Sequence, residues 1–269
     1  MNRISIIIPM LNEAEHIGKL LQHLIENAKQ KKQLELIIVD GGSTDNSVEI
    51  VEKITNVTSS DSDCNEELYR DAGKVLDTKF STENSTRTDA EDKTKIVLLN
   101  SKKGRAKQMN VGAKAATGTI LYFLHADSFP PKHFDQFILN EIQKDNHAGC
   151  FRLKFDSNHW WLRLAGWFTK FNFKACRGGD QSLFTTRDLF DKIGGFDESY
   201  IIYEDNIFIS QLYKLKQFTV INKPIITSAR LYKKHGIFNL QFYFWMIYLK
   251  KWLGASASEL HEYYKEKIG

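Results

Sequence analysis

Residues 119–128 read TILYFLHADS, and the parsing of this stretch decides the fold. β-Branched, aromatic and aliphatic residues run from Thr119 to Leu124 and stop at His125, Ala126 and Asp127. The length and residue types predict a buried strand over Thr119–His125. A buried strand that ends on an imidazole and a carboxylate has two readings. It leaves the core to meet water, or its end delivers a metal ligand. The neighbouring segments decide between them.

Upstream, Ile4–Pro9 reads as a short strand stopped by proline, and Ile17, Leu20, Leu21, Leu24, Ile25 and Ala28 fall at helical spacing. Leu34–Asp40 (LELIIVD) is a second buried strand. A GGSTD turn follows, then a helix to about Ile54. Lys95–Leu99 is a third strand and Arg105–Ala116 a helix. This alternation predicts an α/β fold with a mostly parallel, Rossmann-like sheet covered on both faces. Residues 55–94 break the rhythm. They hold ten acidic and five basic residues, few apolar anchors, and leave the rest of the chain at +9. A polar surface insertion is expected there, with a short helix over Glu66–Leu76. Beyond residue 130 the pattern becomes α+β. A helix near 132–144 leads to a strand near 149–155, the aromatic stretch HWWLRLAGWFTKFNF and two glycine turns, RGGDQ and GGFDE. SLFTT reads as a strand, a helix starts at Glu204, Phe218–Ile221 is a strand, and an aromatic helix closes the chain.

The chain has 269 residues, is 42% hydrophobic and carries a net charge of +4. That charge suits anionic small molecules or an anionic membrane surface and points away from duplex nucleic acid. Three scattered cysteines without a CxxC pair indicate neither a disulfide framework nor a zinc site, so a reducing, cytoplasmic setting is expected. The opening MNRISIIIPMLNE does not read as a secretion leader, and no stretch reaches the roughly 18 apolar residues that cross a bilayer. The C-terminal GIFNLQFYFWMIYLKKWLG leaves two readings open. It packs on the core, or it docks peripherally at the inner membrane face.

In an open α/β sheet, ligands bind beyond the carboxyl ends of the strands. Pro9 leads to Asn12 and Glu13, the second strand ends at Asp40, the third precedes Gly104 and Arg105, and the fourth ends at His125 and Asp127. Any one of these is an ordinary strand end. Four on one edge suit a diphosphate. Gly104 at a helix start lets backbone N–H groups approach an anion, and Arg105 adds a fixed donor fork. Asp127 is a hard oxygen ligand, adequate for a magnesium or manganese ion carried on a diphosphate. Asp40 can accept from ribose or base. The RGGDQ turn is either only a turn or a means of turning Asp180 and Gln181 toward sugar or acceptor.

The stretches IIIPMLNE, IIVDGGSTDNS, KGRAKQMNVGA, LYFLHADS, RGGDQSLF, IGGFDE and YEDN resemble, in this order, the family 2 glycosyltransferases. The resemblance implies the GT-A fold, an inverting reaction, a nucleotide-diphosphate-sugar donor, a hydroxyl acceptor (a lipid or a small molecule) and a divalent metal, Mn²⁺ or Mg²⁺. Within the family, GRAKQMN and HAD resemble a small branch linked to arsenosugar- and selenium-associated gene clusters. By the same resemblance Pro9, Asn12 and Glu13 form the first nucleotide-contacting loop, Asp40 is the acidic residue after strand two, Asp127 ends the metal motif and Asp205, paired with Glu204, is the catalytic base. Two departures stand out. Gly41 occupies the place where many members have a second aspartate, and His125 stands where the metal motif usually opens on aspartate, so it is a candidate ligand. His235 is a further basic group for the metal or the leaving diphosphate. The expected layout is a single domain over 1–269, with a nucleotide-sugar half (1–128), an acceptor half (129–236) and C-terminal aromatic helices (237–269).

Three other classes compete. A nucleotidyltransferase would carry a glycine-rich basic loop after strand one, where this chain has PMLNEAE. A dehydrogenase would need GxGxxG there. A non-catalytic nucleotide-sugar-binding or membrane-surface scaffold is the remaining alternative, and Asp127 and Asp205 speak against it.

Overall fold

A computed structural model describes residues 2–59 and 94–269. Eight strands form one mixed sheet in the order β3-β2-β1-β4-β7-β6-β8-β5. β1 (Ile4–Met10), β2 (Leu34–Asp40), β3 (Lys95–Asn100) and β4 (Ile120–Phe123) are parallel. β7 (Leu183–Thr186) then runs antiparallel to β4 and to β6 (Ala148–Phe155). β8 (Thr219–Thr227) pairs parallel with β6 and antiparallel with the two-residue β5 (Ser128–Phe129). The register sets Met10 opposite Asp40 and Asp40 opposite Asn100, so the carboxyl ends of the first three strands lie level.

Helices cover both faces, as the buried strands require. On one face α1 (Ile17–Asn27), α2 (Ser47–Ser59) and α4 (Phe134–Gln143) close a core of Ile6, Ile8, Leu21, Leu24, Ile38 and Phe134. On the other, α3 (Arg105–Ala115), α6 (Arg187–Ile193) and α7 (Glu204–Lys214) cover Ile7, Val39, Phe123 and Phe196. α5 (Trp160–Phe168) lies on β6, its Leu162 packing with Leu153 and Phe155. α8 (Arg230–His235), α9 (Ile237–Trp252) and α10 (Ala257–Lys267) form a C-terminal layer, in which Leu240, Ile247, Leu260 and Ile268 meet Ile202.

The structure corrects several boundaries. β4 stops at Phe123, not His125. After Leu124 donates to Ile7 O, the chain turns, and Ser128 N bonds His125 O. The helix after GGSTD runs to Ser59, so the first five residues assigned to the insertion are helical. The insertion's remainder to residue 93 and its expected helix over Glu66–Leu76 lie outside the described residues, as does Cys64. β8 continues to Thr227 through Pro224, because its Asn222 and Lys223 bulge out of the pairing and the ladder resumes with Arg152 opposite Pro224. HWWLRLAGW is helical, capped by His159 Nδ1, which accepts from Trp161 N.

One buried polar cluster was not foreseen. Glu35 on β2 is 1% exposed. Its carboxylate accepts from Ser5 Oγ, from Thr117 N and Oγ1 and from Gly118 N, with Arg3 at 3.8 Å. Burial alone would raise its pKa. These hydrogen bonds and the Arg3 charge outweigh burial and hold it below the usual glutamate range. A carboxyl depressed in the folded state adds stability above its unfolded value of 4.5 and loses it as the pH falls through the folded value. Glu35→Gln should therefore cost about 2 kcal/mol at neutral pH, and the difference from wild type should shrink below about pH 4. Urea titrations at both pH values measure this.

Candidate active site

Five of the residues singled out in the sequence meet at the switch between the parallel strands and β7. Arg105, at the first turn of α3, sets its Nε 3.0 Å from Glu204 Oε1 and its NH1 3.8 Å from Asp205 Oδ2. His125, just past β4, has Nδ1 3.5 Å from Asp180 and Nε2 3.8 Å from Asp205 Oδ2. The same Nε2 lies 3.3 Å from Arg105 NH1. In the neutral ring Nδ1–H donates to Asp180 and Nε2 accepts from Arg105. Burial and Arg105 push the imidazole down, but the hydrogen bond to Asp180 and the charges of Asp205 and Asp180 outweigh them, so its pKa is raised. For Asp180, burial acts upward while His125 and Arg105 prevail and hold the carboxyl below its usual range.

The backbone around this cluster is held in unusual conformations. Tyr203, which precedes α7, has φ 71°, Ser182 has φ 59° and Asn12 has φ 54°. Non-glycine residues in the left-handed region gather at functional sites. Gly104 has φ 135°, a conformation that favours glycine, and it brings α3's free N–H groups to the cleft. Gly179 is required by space. A Cβ there would sit 2.0 Å from Asp205 Oδ2 and 3.0 Å from His125 Cε1.

Glu204 and Asp205 open α7 and are both buried. The Glu204 oxygens have no hydrogen-bond partner, since the Arg105 contact is close but off the hydrogen-bond direction. Burial, reinforced by Asp205 and opposed by Arg105, pushes its carboxyl up to about 7.

A second group adjoins the first. Glu13, after β1, forms a two-pronged ion pair with Arg230 at the start of α8, and Arg230 NH2 also lies 3.6 Å from Asp127. Burial raises Asp127's pKa, and the charges of Asp180 and Glu13 add to this against His125 and Arg230. A carboxylate crowded by two other carboxylates favours added positive charge. Among the described residues no group of three or more His, Cys, Asp and Glu forms a metal cage. Asp127 offers a single hard carboxylate oxygen ligand at this corner.

Some expected site residues do other work. Gln181 is 3% exposed and not presented to the cleft. Its Oε1 accepts from Arg177 and Cys150, and its Nε2 donates to Cys176 O. The carboxylate of Asp40 is drawn into its own turn by Gly42 N and by Ser43 N and Oγ. Asn12 braces that turn, accepting from Thr44 N while its own N–H donates to Ser43 Oγ. Pro9 pairs with Val39 inside β1. His125 Nδ1 lies 3.5 Å from Asp180 and its Nε2 3.3 Å from Arg105 NH1. His235 Nε2 is buried without a hydrogen-bond partner.

Three functional residues escaped the sequence reading. Arg230 sits in a stretch with no motif around it. Gln108 spans the sheet edge, donating to Met10 O and Val39 O, and its amide fills the space a Cβ on Gly41 would enter at 3.0 Å. Glycine at 41 thus goes with glutamine at 108. Arg177, within the quoted RGGDQ, is 2% exposed. It donates to Thr169 O, Phe171 O and Gln181 Oε1 at 2.7 Å each.

A mixed sheet whose parallel half ends in a polar cleft is a nucleotide-binding α/β architecture, here of the GT-A type. The chain belongs to glycosyl transferase family 2, whose family model matches residues 5–68 and 81–201. The match runs through both ends of the expected insertion and leaves only 69–80 between its parts. Over 58 residues, 21% of this chain and 18% of the relative, it is 43% identical to an undecaprenyl-phosphate 4-deoxy-4-formamido-L-arabinose transferase of Proteus mirabilis. Over 127 residues, 47% of this chain and 31% of the relative, it is 28% identical to the glycosyltransferase AglE of Haloferax volcanii. The chain thus spans less than a third of the length of these curated relatives. Among solved structures it resembles S. aureus TarS 1–349 in complex with UDP, with a TM-score of 0.59 and 18% identity, over 84% of this chain and 60% of that one. It also resembles the mannosyltransferase PcManGT of Pyrobaculum calidifontis in complex with GDP-Man and Mn²⁺, with a TM-score of 0.57 and 16% identity, over 84% and 56%.

Proposed function

We propose that the chain transfers a sugar from a nucleotide-diphosphate donor to an acceptor hydroxyl, with inversion at the anomeric carbon. The observation that carries this reading is the placement of Asp205. It is buried at a helix start, between Arg105 and His125, beside the loop of Asp180 and close to the diphosphate-suited Gly104–Arg105 corner. A hydroxyl is a poor nucleophile at neutral pH, and a positioned carboxylate takes its proton as it attacks. A single displacement with one base inverts the anomeric centre. Arg105 and the N-terminus of α3 face the leaving diphosphate. A divalent ion held by Asp127 would neutralise charge on that diphosphate when bound. Asp180, held ionised by His125, is placed to accept from sugar or acceptor hydroxyls. Glu204 keeps Arg105 in place rather than taking the proton. The donor class is supported by the UDP, UDP-GlcNAc and GDP-Man complexes of the fold relatives. A lipid-borne acceptor is supported by relatives named for undecaprenyl phosphate and for a dolichyl phosphate derivative.

The test is a donor panel incubated with and without manganese, read as release of nucleoside diphosphate. A transferase releases it slowly from one donor with metal. A non-catalytic scaffold shows donor binding with no release, and a nucleotidyltransferase acts on the nucleoside triphosphate. Asp127→Ala should abolish the rise in melting midpoint that manganese adds to UDP or GDP. Its ligand-free midpoint should stay within about 2 °C of wild type, because the side chain is partly exposed and its one ion pair, to Arg230, is long at 3.6 Å. An unchanged manganese increment would remove Asp127 from the metal site.

A further inference from the structure

The C-terminal aromatic helix has a packed side and an open side. Leu240 and Ile247 pack inward, while Phe238, Phe242, Trp245, Leu249 and Trp252 are exposed at spacings of four, three, four and three residues. That periodicity puts them on one stripe of α9. α5 carries a matching stripe of Trp160, Leu164, Trp167 and Phe168, also exposed, while its Leu162 faces the sheet. The stripes meet. The ring of Phe238 lies 6.4 Å from Trp160 and 5.9 Å from Trp161, and Trp161 lies 6.2 Å from Trp245. Two helices far apart in sequence thus share one continuous aromatic surface, of a kind monomers rarely leave open.

Within the two segments that carry the stripes the charges have one sign, although Arg230 is already paired with Glu13 and Asp127. Residues 157–174 and 230–258 contain eight lysines and arginines and no aspartate or glutamate, in a chain with 33 acidic residues. Lys233 and Lys234 are exposed, and Lys170 lies 4.0 Å from the Trp167 ring centroid. No helix among the described residues is long and apolar enough to cross a membrane. A second copy of the chain packed face to face would set cations against cations. An anionic bilayer neutralises them and takes the tryptophans at its headgroup level.

We propose that α5 and α9 dock the protein on the surface of an anionic lipid bilayer, with the aromatic rings among the upper acyl carbons and the cations on the lipid phosphates. The face joins the active site. α9's Tyr248 donates to Arg177 O and to Asn206 Oδ1, beside Asp205, and α8 begins at Arg230 beside Asp127. Docking therefore brings the cleft to the headgroup layer, where a lipid-borne acceptor would present its hydroxyl or phosphate.

The experiment is co-sedimentation of the full chain with phosphatidylcholine vesicles, with and without phosphatidylglycerol. Binding should require phosphatidylglycerol and should fall steeply as salt rises. Phe242→Ser with Trp252→Ser should weaken it roughly tenfold or more. Lys233→Glu with Lys234→Glu should do the same, at about fivefold for each cation removed. All four side chains are exposed, so the melting midpoint should hold. If the aromatic pair unfolds the chain, the lysine pair still decides. Absence of binding to anionic vesicles at low salt overturns the proposal. So does a lipid-free dimer, seen by light scattering, that Phe242→Ser dissolves, since the occupant is then a second copy. Donor hydrolysis without lipid reads the catalytic assignment separately, so either can fail alone.

Discussion

Asp205→Asn should retain donor binding and lose turnover by roughly a hundredfold or more, within the range of general bases. Asparagine keeps the size and polarity of the side chain between Arg105 and His125, but it cannot act as a base. Donor affinity read by thermal shift should stay near wild type, because the diphosphate corner at Gly104 is untouched. Near-wild-type turnover in Asp205→Asn together with an inactive Glu204→Gln would move the base to Glu204. Full activity in both would remove the acidic pair from the mechanism. Glu204→Gln is expected to be milder in rate and distinct in pH dependence. Its carboxyl is raised in the folded state, to about 7 from 4.5. A raised carboxyl gives stability that is complete below the unfolded value and is lost as the pH climbs through the folded one. Wild type should lose stability relative to Glu204→Gln between about pH 4.5 and 7, with a slope of up to about 1.4 kcal/mol per pH unit. Denaturant titrations across that range measure it, and parallel curves would show that Glu204 titrates normally.

Arg177→Met should cost about 3–5 kcal/mol and lower the melting midpoint by roughly 10 °C. Methionine fills some of the volume but donates nothing. The carbonyls of Thr169 and Phe171 and the amide oxygen of Gln181 would stay buried without their donor. The guanidinium also lies 3.2 Å from Cys150 Sγ, where burial pushes the thiol up to about 11 and Arg177 draws it back. Because Arg177 anchors the stretch that turns at Gly178–Gly179 and presents Asp180, turnover should fall even well below the melting midpoint. Unchanged kinetics in a folded Arg177→Met would show that the turn holds without it. Arg177→Lys should rescue little, since one ammonium cannot serve three divergent acceptors.

The parallel half was legible because each buried strand and its helix carry a local period, and β2 falls where LELIIVD put it. The gathering of Arg105, His125, Asp180, Glu204 and Asp205 was legible only as motif order. The sheet's crossing pattern converts that order into proximity. Three kinds of detail stayed hidden. Glu35 looked like one polar residue in a buried strand, because its partners at Thr117 and Gly118 are more than 80 residues away. Gln181 sat in the right turn, but a donor four residues earlier in the chain, Arg177, folds back and claims it. β8 seemed to end before Pro224, and a two-residue bulge at Asn222 and Lys223 lets its pairing with β6 resume beyond it. Local pattern decides which element forms. Long-range pairing decides what its polar side chains do.

The pairing of Glu13 with Arg230 spans 217 positions. At roughly 5–20 residues per second of synthesis, Arg230 leaves the ribosome on the order of ten to forty seconds after Glu13. The α/β layer can collapse in that interval, since small domains fold within seconds. Glu13 and Asp127 would then face each other without their shared cation. The parallel half of the sheet can thus be in place before the ion pair that balances Glu13 and Asp127 can form. The segment from Arg230 onward is the part of the chain that supplies this cation, and it is made last.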